Sequence, residues 1–247
     1  MNDFLIRPDE TVDDLQVNNL HVIQKEKGFR FGIDAILLAN FASVKRNDLV
    51  ADFCSGSGVI SILDVGKRGC KGAVQFEIQP EYAEMAQRSV QLNGLEDKIK
   101  VVCGDIGDKE IVPREQFDVV VCNPPYFPKK SGAVTEADSA AIARHEIYCD
   151  IEKVTSASSW ALKFGGKLAM VHRPERLVDI CHYMRGVNIE PKRICPVCSK
   201  EGQPPVMLLV EGIKGGKSGL LWEQPIIVYN DDGTYTEQIN RIYGRID

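Results

Sequence analysis

The segment Asn123-Pro124-Pro125-Tyr126 has the most specific chemistry in the sequence. It directly follows an apolar run at 117–122, which predicts a buried strand. Two consecutive prolines fix the backbone and donate no N–H, so the acceptor groups here are held in rigid directions. The Asn123 side-chain oxygen and the Pro124 carbonyl can each accept one N–H of an amine whose lone pair is delocalised. Such acceptors favour attack of the amine on a methyl donor.

Tyr126 adds an aromatic face beside these acceptors. A planar base that leaves its stack can lie on such a ring, with a contribution of about 1–3 kcal/mol. The four residues therefore predict N-methylation of an amine attached to an sp2 carbon, but they do not separate adenine, cytosine and a glutamine amide. Taken alone, they are equally typical of a proline pair that ends a strand beside a packed tyrosine.

A second motif lies earlier in the chain, at Asp52-Phe53-Cys54-Ser55-Gly56-Ser57-Gly58. It stands between two apolar runs, as a tight turn between a strand and a helix does. Gly56 and Gly58 allow a ligand to approach the backbone closely, and the helix amino terminus favours a carboxylate or phosphate. Such turns also occur without a ligand and in NAD-binding proteins, so this motif alone leaves the ligand open.

Two further acids narrow the choice of ligand. Glu77 ends the next predicted strand, where a carboxylate can accept hydrogen bonds from both ribose hydroxyls of an adenosine. Asp105 ends the strand after that, where it can accept from an adenine amino group. Acids on three successive strands, and the absence of the third fingerprint glycine at Ser61, favour S-adenosylmethionine over NAD. The cofactor residues expected at the strand ends are Asp52, Cys54, Gly56, Gly58, Glu77, Ile78, Gly104, Asp105, Ile106 and Asn123.

The segment Phe29-Arg30-Phe31-Gly32-Ile33-Asp34 precedes an apolar helix near the amino terminus. A glycine-bearing loop at this place can close over the methionine end of the cofactor, with Phe31, Gly32 and Asp34 as the contacts. An acid in the first turn of a helix also stabilises the helix itself, so Asp34 has an ordinary structural explanation as well.

The elements that must position these residues alternate along the chain. The predicted strands are 49–53, 73–77, 100–103, 117–122, 167–171 and 206–210. The predicted helices are 35–39, 59–63, 80–93, 151–163 and 174–185. Strands that alternate with helices form a parallel sheet with right-handed crossovers, and ligands bind at the carboxyl ends of the strands. The sequence therefore predicts a doubly wound α/β fold.

Two parts of the chain stand outside this alternation. Residues 1–45 form an N-terminal extension, for which we expect an edge strand or hairpin and a helix that covers one edge of the sheet. A polar insertion at about 127–146 directly follows Tyr126. The main domain is expected to comprise residues 46–247.

The composition is that of a globular protein, with 44% hydrophobic and 26% charged residues. A formal net charge of −5 argues against a protein that coats nucleic acid. The first 150 residues carry 17 basic and 24 acidic side chains, and the others carry 13 and 11, so any contact with a polyanion should be local. No apolar run reaches about 18 residues, which predicts no membrane contact and a cytoplasmic protein.

Eight cysteines without an export signal predict reduced thiols. Cys195-Pro196-Val197-Cys198 has the spacing of half a zinc site, but Cys181, His172 and His182 do not supply the other half with a matching spacing. We therefore expect no metal, and simple thiols or core packing for this pair.

These motifs together resemble the bacterial tRNA(Val) adenine-N6-methyltransferase family, which methylates the adenine immediately 3′ of the anticodon. The resemblance rests on the segments quoted above and on 143–146, 171–177, 209–214 and 227–244. It implies a Rossmann-like class I methyltransferase fold, with a seven-stranded, mostly parallel sheet, an antiparallel C-terminal strand and helices on both faces. It also implies tRNA as substrate and adenine N6 as acceptor. Asp64 departs from the family pattern, since an acid interrupts a helix face that is usually apolar.

A tRNA substrate requires a surface for RNA, and basic residues of the later half flank the predicted strand ends. The expected substrate residues are Tyr126, Arg144, His145, Arg173, Lys214 and Lys217. A solvated charged surface explains each basic residue equally well when it is taken singly. The sequence gives no signal for an oligomeric state.

Two other functions remain open at this point. One is an enzyme with the same motif that acts on guanine N2 in ribosomal RNA or on a glutamine amide in a protein. Protein-glutamine enzymes typically carry an N-terminal helical domain, for which this chain leaves too little room. The other is a non-catalytic module that binds S-adenosylmethionine or RNA. The intact Asn123, Pro124 and Tyr126 argue against it, because binding alone does not need two rigid acceptors.

Overall fold

The computed structural model describes residues 5–27, 30–125 and 150–246. Phe29, Tyr126, Arg144, His145 and the insertion at 127–146 lie outside the described residues.

The described chain begins with an antiparallel hairpin of β1 (Glu10–Asp14) and β2 (His21–Lys25), followed by helix α1 (Ile33–Phe41). Helix α1 contacts the strands Leu162–His172 and Pro205–Lys214, which lie in the interior of the main sheet. The reason is its composition: residues 35–39 are all apolar and buried. A helix that is apolar on every side is covered on every side.

Among the described residues, seven strands of five or more residues form the main sheet. They are β3 (Leu49–Phe53), β4 (Gly72–Glu77), β5 (Ile99–Cys103), β6 (Phe117–Cys122), β7 (Leu162–His172), β8 (Ile189–Cys198) and β9 (Pro205–Lys214). Across the sheet their order is β5-β4-β3-β6-β7-β9-β8. All neighbours pair in parallel except β9, which runs antiparallel to β7 and β8. The predicted α/β sheet, mostly parallel with an antiparallel C-terminal strand, is confirmed.

Helices cover both faces of this sheet. They are α2 (Val59–Gly66), α3 (Pro80–Leu92), α4 (Ile151–Ala161) and α5 (Leu177–Gly186). Helices α1 and α2 pack in one apolar core, whereas α4 and α5 pack in the other. Pro80 occupies the first turn of α3, where its missing N–H costs nothing, and the Asp150 side chain caps α4. Every described helix is too short or too polar to span a lipid bilayer.

Strand β8 was not predicted, because Pro191 and Pro196 interrupt its apolar pattern and prolines argue against an interior strand. Two short strands, β10 (Leu221–Trp222) and β11 (Ile226–Ile227), pair in parallel with its outer edge and bring the sheet to nine strands. A last helix, α6 (Glu237–Ile242), follows. These C-terminal elements are short, so their sequences show little periodicity.

Candidate active site

The strand ends that were expected to form the site lie side by side. Phe53 of β3 pairs with Phe76 of β4 and Cys122 of β6, and Glu77 of β4 pairs with Cys103 of β5. The residues that follow β3 to β8 on this side of the sheet are called the carboxyl edge below. It brings the glycine turn, Glu77, Asp105 and Asn123 to one end of the molecule.

The turn after β3 has an unusual backbone. Cys54, Gly56 and Gly58 have positive φ angles of 57°, 55° and 84°. A Cβ atom on Gly58 would lie 2.4 Å from the side-chain nitrogen of Gln75, which is buried. Only glycine fits this position without displacing Gln75. The backbone of the turn therefore lies close to the start of α2, and no side chain at Gly58 blocks a ligand.

Glu77 joins this turn to the next strand end. One carboxylate oxygen accepts the Gly56 N–H at 2.9 Å and the other accepts the Gln79 N–H at 2.9 Å. The residue is 5% exposed. A carboxylate oxygen is the kind of acceptor that ribose hydroxyls require.

Asp105 is held by a residue that the sequence did not indicate. Its Oδ1 accepts the Gly107 N–H at 2.8 Å, and its Oδ2 accepts from the Lys153 ammonium at 2.6 Å. Burial acts to raise the pKa of Asp105, but Lys153 and Gly107 outweigh it and hold the pKa below its usual value. The acid therefore stays ionised as an acceptor. Lys153 stands in the first turn of α4, and its sequence neighbours carry no sign of this pairing.

Asp52 has a different place from the one expected. It lies inside β3, is 1% exposed, and its Oδ2 accepts from the Ser61 N–H at 3.1 Å and the Ser61 hydroxyl at 2.9 Å. Its Oδ1 is buried without a hydrogen-bond partner among the described residues. Burial raises the pKa of Asp52 to about 7, against the lowering effect of Ser61. Asp52 thus stabilises the start of α2 from inside the core, whereas Glu77 and Asp105 lie at the carboxyl edge.

Asp64 forms a second buried acid one helical turn beyond Ser61. It is 0% exposed, and within the described chain neither oxygen has a hydrogen-bond partner. The nearest cation is the Arg68 guanidinium at 3.8 Å, which also donates to the carbonyls of Asn40 and Ala42. Burial raises the pKa of Asp64 to about 8; Arg68 opposes this and Asp52 adds to it.

The hairpin fixes the segment that precedes α1. The Phe31 N–H donates to Gln24 Oε1 at 2.7 Å, and Gln24 Nε2 donates to Asp13 at 2.6 Å. Arg30 donates to both oxygens of Asp13, at 2.8 and 2.7 Å. Gln24 is only 2% exposed. The hairpin therefore fixes the backbone at Phe31, the first of the expected cofactor contacts Phe31, Gly32 and Asp34. The sequence carries no sign of this hydrogen bond.

Asn123, Pro124 and Pro125 leave β6 at the carboxyl edge, and Pro124 is buried. Because Cys122 pairs with Met170, continued register places Pro124 at the level of His172. His172 Nδ1 accepts the Arg173 N–H at 2.8 Å. Burial, with Arg176 and Arg173, lowers the pKa of His172 to about 4, so this imidazole is neutral beside the acceptors.

The expected substrate residues divide between two edges. Arg173 follows β7 at the carboxyl edge, near Asn123. Lys214 ends β9, which runs the other way, so Lys214 and Lys217 lie at the opposite edge of the sheet. The Lys214 ammonium donates to the Leu162 carbonyl at 2.8 Å and pairs with Glu115 at 3.2 Å. The structure therefore does not bring these two lysines together with Asn123.

The hydrogen-bonding groups at the carboxyl edge fit S-adenosylmethionine. Glu77 and Asp105 supply carboxylate acceptors for hydroxyl and amino groups. The described residues contain no His, Cys, Asp or Glu cluster able to hold a metal ion. Cys195 and Cys198 are buried in β8, and burial raises the pKa of Cys195 to about 11.

Known proteins are similar to this chain in sequence and in fold. The model of a family described as "Methyltransferase small domain" matches residues 30–179. A tRNA1(Val) (adenine(37)-N6)-methyltransferase of Porphyromonas gingivalis W83 is 29% identical over 190 residues, which cover 74% of this chain and 73% of that protein. A predicted O-methyltransferase of Agrobacterium tumefaciens has a TM-score of 0.69 at 23% identity, with 85% of this chain and 95% of that chain covered. TYW2 of M. jannaschii, solved in complex with AdoMet, has a TM-score of 0.56 at 14% identity, with coverages of 84% and 86%. The two solved structures share the fold, a Rossmann-like methyltransferase sheet.

Proposed function

Because the chain belongs to the methyltransferase small domain family, we propose that it transfers a methyl group from S-adenosylmethionine to N6 of an adenine in tRNA. The Porphyromonas gingivalis relative is named for adenine 37 of tRNA1(Val), and this nucleotide is the proposed target. The observation that carries the proposal is the position of Asn123-Pro124-Pro125. These residues leave β6 directly beside the glycine turn of β3. A tRNA substrate also assigns the protein to the cytoplasm.

The cofactor supplies an electrophilic methyl group when it is bound. In this proposal Glu77 holds the ribose and Asp105 the adenine amino group, with Gly56, Gly58, Gly104 and Ile106 as the backbone around them. Asp105 remains ionised through Lys153. Together these residues orient the cofactor from three adjacent strand ends.

The target amine is held by acceptors and needs no basic side chain. The Asn123 side-chain oxygen and the Pro124 carbonyl each accept one N–H, which directs the nitrogen lone pair toward the methyl group. Their rigidity comes from Pro124 and Pro125, whose φ angles are fixed. Tyr126 is proposed as the face on which the adenine stacks. His172 is neutral near this point, so it does not repel a cationic methyl donor.

The test is transfer of tritium from labelled S-adenosylmethionine to bulk tRNA, with wild type, Asn123→Ala and the exposed loop variant Asn47→Ala. Loss of one preorganised polar group in a transition state costs about 10²–10³ in rate, so we expect at least that loss for Asn123→Ala. Cofactor affinity, measured by calorimetry, should remain near the wild-type value. Asn47→Ala should transfer methyl groups at the wild-type rate.

The product identifies the substrate. Digestion of the labelled tRNA to nucleosides should yield N6-methyladenosine. Label in N2-methylguanosine, or in protein instead of RNA, would refute the proposed substrate while leaving the methyltransferase assignment intact. Equal transfer by Asn123→Ala would refute the role of Asn123.

A further inference from the structure

Three tyrosines near the C-terminus form a parallel stack. The rings of Tyr229 and Tyr235 have centroids 5.4 Å apart at 13°, and those of Tyr235 and Tyr243 are 6.0 Å apart at 22°. The core pair Phe53 and Phe76 meets edge-on at 82° instead. We call Tyr229, Tyr235 and Tyr243 the tyrosine stack. All three rings are partly exposed at the surface.

The backbone holds the first two rings of the tyrosine stack in place. Tyr229 and Tyr235 face each other across an isolated antiparallel bridge. The turn between them is closed by the Asn230 N–H to the Thr234 carbonyl at 2.8 Å and the Gly233 N–H to the Asn230 carbonyl at 3.0 Å. A hairpin turn thus presets the first two rings in one orientation.

The third ring is placed by helix α6. The Thr236 side chain caps this helix by accepting the Ile239 N–H, and Tyr243 follows its last turn. Tyr243 also shares a small cavity with Ile36 and Ala39 of α1. The stack is therefore ordered before any ligand arrives.

The Tyr229 end of the stack lies at the carboxyl edge. β11 pairs in parallel with the last residues of β8, so Tyr229 emerges on the same side of the sheet as Asn123. From there the stack extends to Tyr243, which packs against α1, the helix whose first turn carries Asp34. Four strand spacings separate β6 from β11, about 19 Å at about 4.8 Å each, a distance that a short single-stranded segment spans.

Cations accompany the rings. The Arg245 guanidinium lies 4.7 Å from the Tyr243 ring and 5.4 Å from the Tyr235 ring, and Gln16 accepts from it at 2.6 Å. Arg173 and Arg176 stand after β7, between the stack and Asn123. Each has a carboxylate neighbour, at 3.4 and 2.7 Å, but a guanidinium carries five N–H donors and one carboxylate does not exhaust them.

We propose that the tyrosine stack, with the arginines beside it, binds the single-stranded RNA that flanks the target base, with one base stacked on Tyr229. This inference rests on the proposed function, because it takes RNA as the substrate. Bases stack on aromatic rings without regard to sequence, and guanidinium groups contact phosphates and base faces. The surface thus supplies affinity for the strand while Asn123 and Pro124 select the amine. A tRNA would then approach from the carboxyl edge, away from Lys214 and Lys217.

The test uses an RNA hairpin with the anticodon stem and loop of tRNA(Val), with a single 2-aminopurine placed in turn at each loop position that flanks the target adenine. Binding is followed by anisotropy and stacking by quenching of the 2-aminopurine. Tyr229→Ala should raise Kd about 5-fold or more and abolish part of the quenching, since base–aromatic stacking contributes that much per base. Tyr229→Phe keeps the ring and should bind within about twofold of wild type.

Two controls separate stacking from folding. Phe164→Ala removes an exposed aromatic ring at the opposite edge and should leave Kd unchanged. Cofactor affinity of Tyr229→Ala should equal that of wild type, because Tyr229 lies outside the cofactor strand ends. If Tyr229→Ala does not fold, the wild-type protein still decides the question: RNA with 5-iodouridine in the loop should crosslink within residues 229–245.

The outcomes distinguish this inference from the proposed function. Wild type that methylates tRNA, but crosslinks elsewhere and binds RNA equally well after Tyr229→Ala, overturns the inference and leaves the function standing. In that case the stack only closes the C-terminal hairpin. Wild type that binds no RNA and methylates none overturns both.

Discussion

Replacing the buried acid Asp64 with asparagine tests the electrostatic account of the core beneath the cofactor turn. Two effects compete at this carboxyl group. Complete burial favours the neutral form, and the Arg68 guanidinium at 3.8 Å favours the charged form. Burial prevails and raises the pKa to about 8, because both oxygens lack a hydrogen-bond donor in the described part of the chain. Asp64 should therefore carry a proton at neutral pH.

The sign of the pH effect follows from this shift. An aspartate in the unfolded chain has a pKa of about 3.9, so the folded state binds the proton more tightly. Its contribution to stability is complete below about pH 4 and is lost as the pH rises toward 8. At about 1.36 kcal/mol per pH unit, the free energy of unfolding should fall by about 3–4 kcal/mol between pH 5 and pH 8.

The measurement is urea unfolding of wild type and Asp64→Asn at several pH values in this range. Asparagine has nearly the same shape and does not titrate, so the variant should lack this slope. Asp52, whose pKa is about 7, titrates in both proteins, so its own slope largely cancels in the difference between them, apart from its repulsion of the Asp64 carboxylate. Parallel curves for the two proteins would show that Arg68 keeps Asp64 ionised and would refute the argument from burial.

Three further results are expected. Gly58→Ala should lose about 1–3 kcal/mol more unfolding free energy than Gly94→Ala, because both have positive φ but only the Gly58 methyl group displaces a buried glutamine from its hydrogen bond; equal losses in urea unfolding would contradict this. Glu77→Gln should raise the calorimetric Kd for S-adenosylmethionine about tenfold or more, since it loses charged acceptors, and unchanged affinity would remove Glu77 from the ribose site. Arg173→Glu should weaken tRNA binding and reduce its salt dependence, whereas Lys217→Glu at the opposite edge should not; the reverse pattern in filter binding would move the RNA surface to that edge.

The central strands could be predicted from sequence because their physics is local. β3 to β6 are mostly apolar runs bounded by turns, as largely buried strands are. β8 could not be predicted in this way, since its pairing with β9 overrides the local effect of Pro191 and Pro196. The direction of β9 could not be predicted from the local sequence either. It depends on pairing partners far along the chain, and it alone decides that Lys214 lies away from Asn123.

In the candidate site, too, some residues could be predicted from the local sequence and others could not. Glu77 and Asp105 could be predicted to reach the carboxyl edge, because each stands at the end of its strand. Asp52 stands one residue earlier in its strand, and only the packing of α2 shows that its side chain faces Ser61. Lys153 and Gln24 carry no local signal, because their contacts with Asp105 and Phe31 exist only in the folded chain.

The position of β7 between β6 and β9 bears on which segment of this chain can be produced by itself. The family match ends at residue 179, before β8 and β9. A fragment cut to that match would expose the long β7 with unpaired N–H and C=O groups and apolar side chains such as Leu168 and Met170. Such an edge recruits other chains and aggregates. A cut at residue 30 would also remove Gln24, the partner of the Phe31 N–H. The packing therefore indicates a folded unit that runs from the N-terminal hairpin through α6, which makes the fold boundary wider than the boundary of the shared motif.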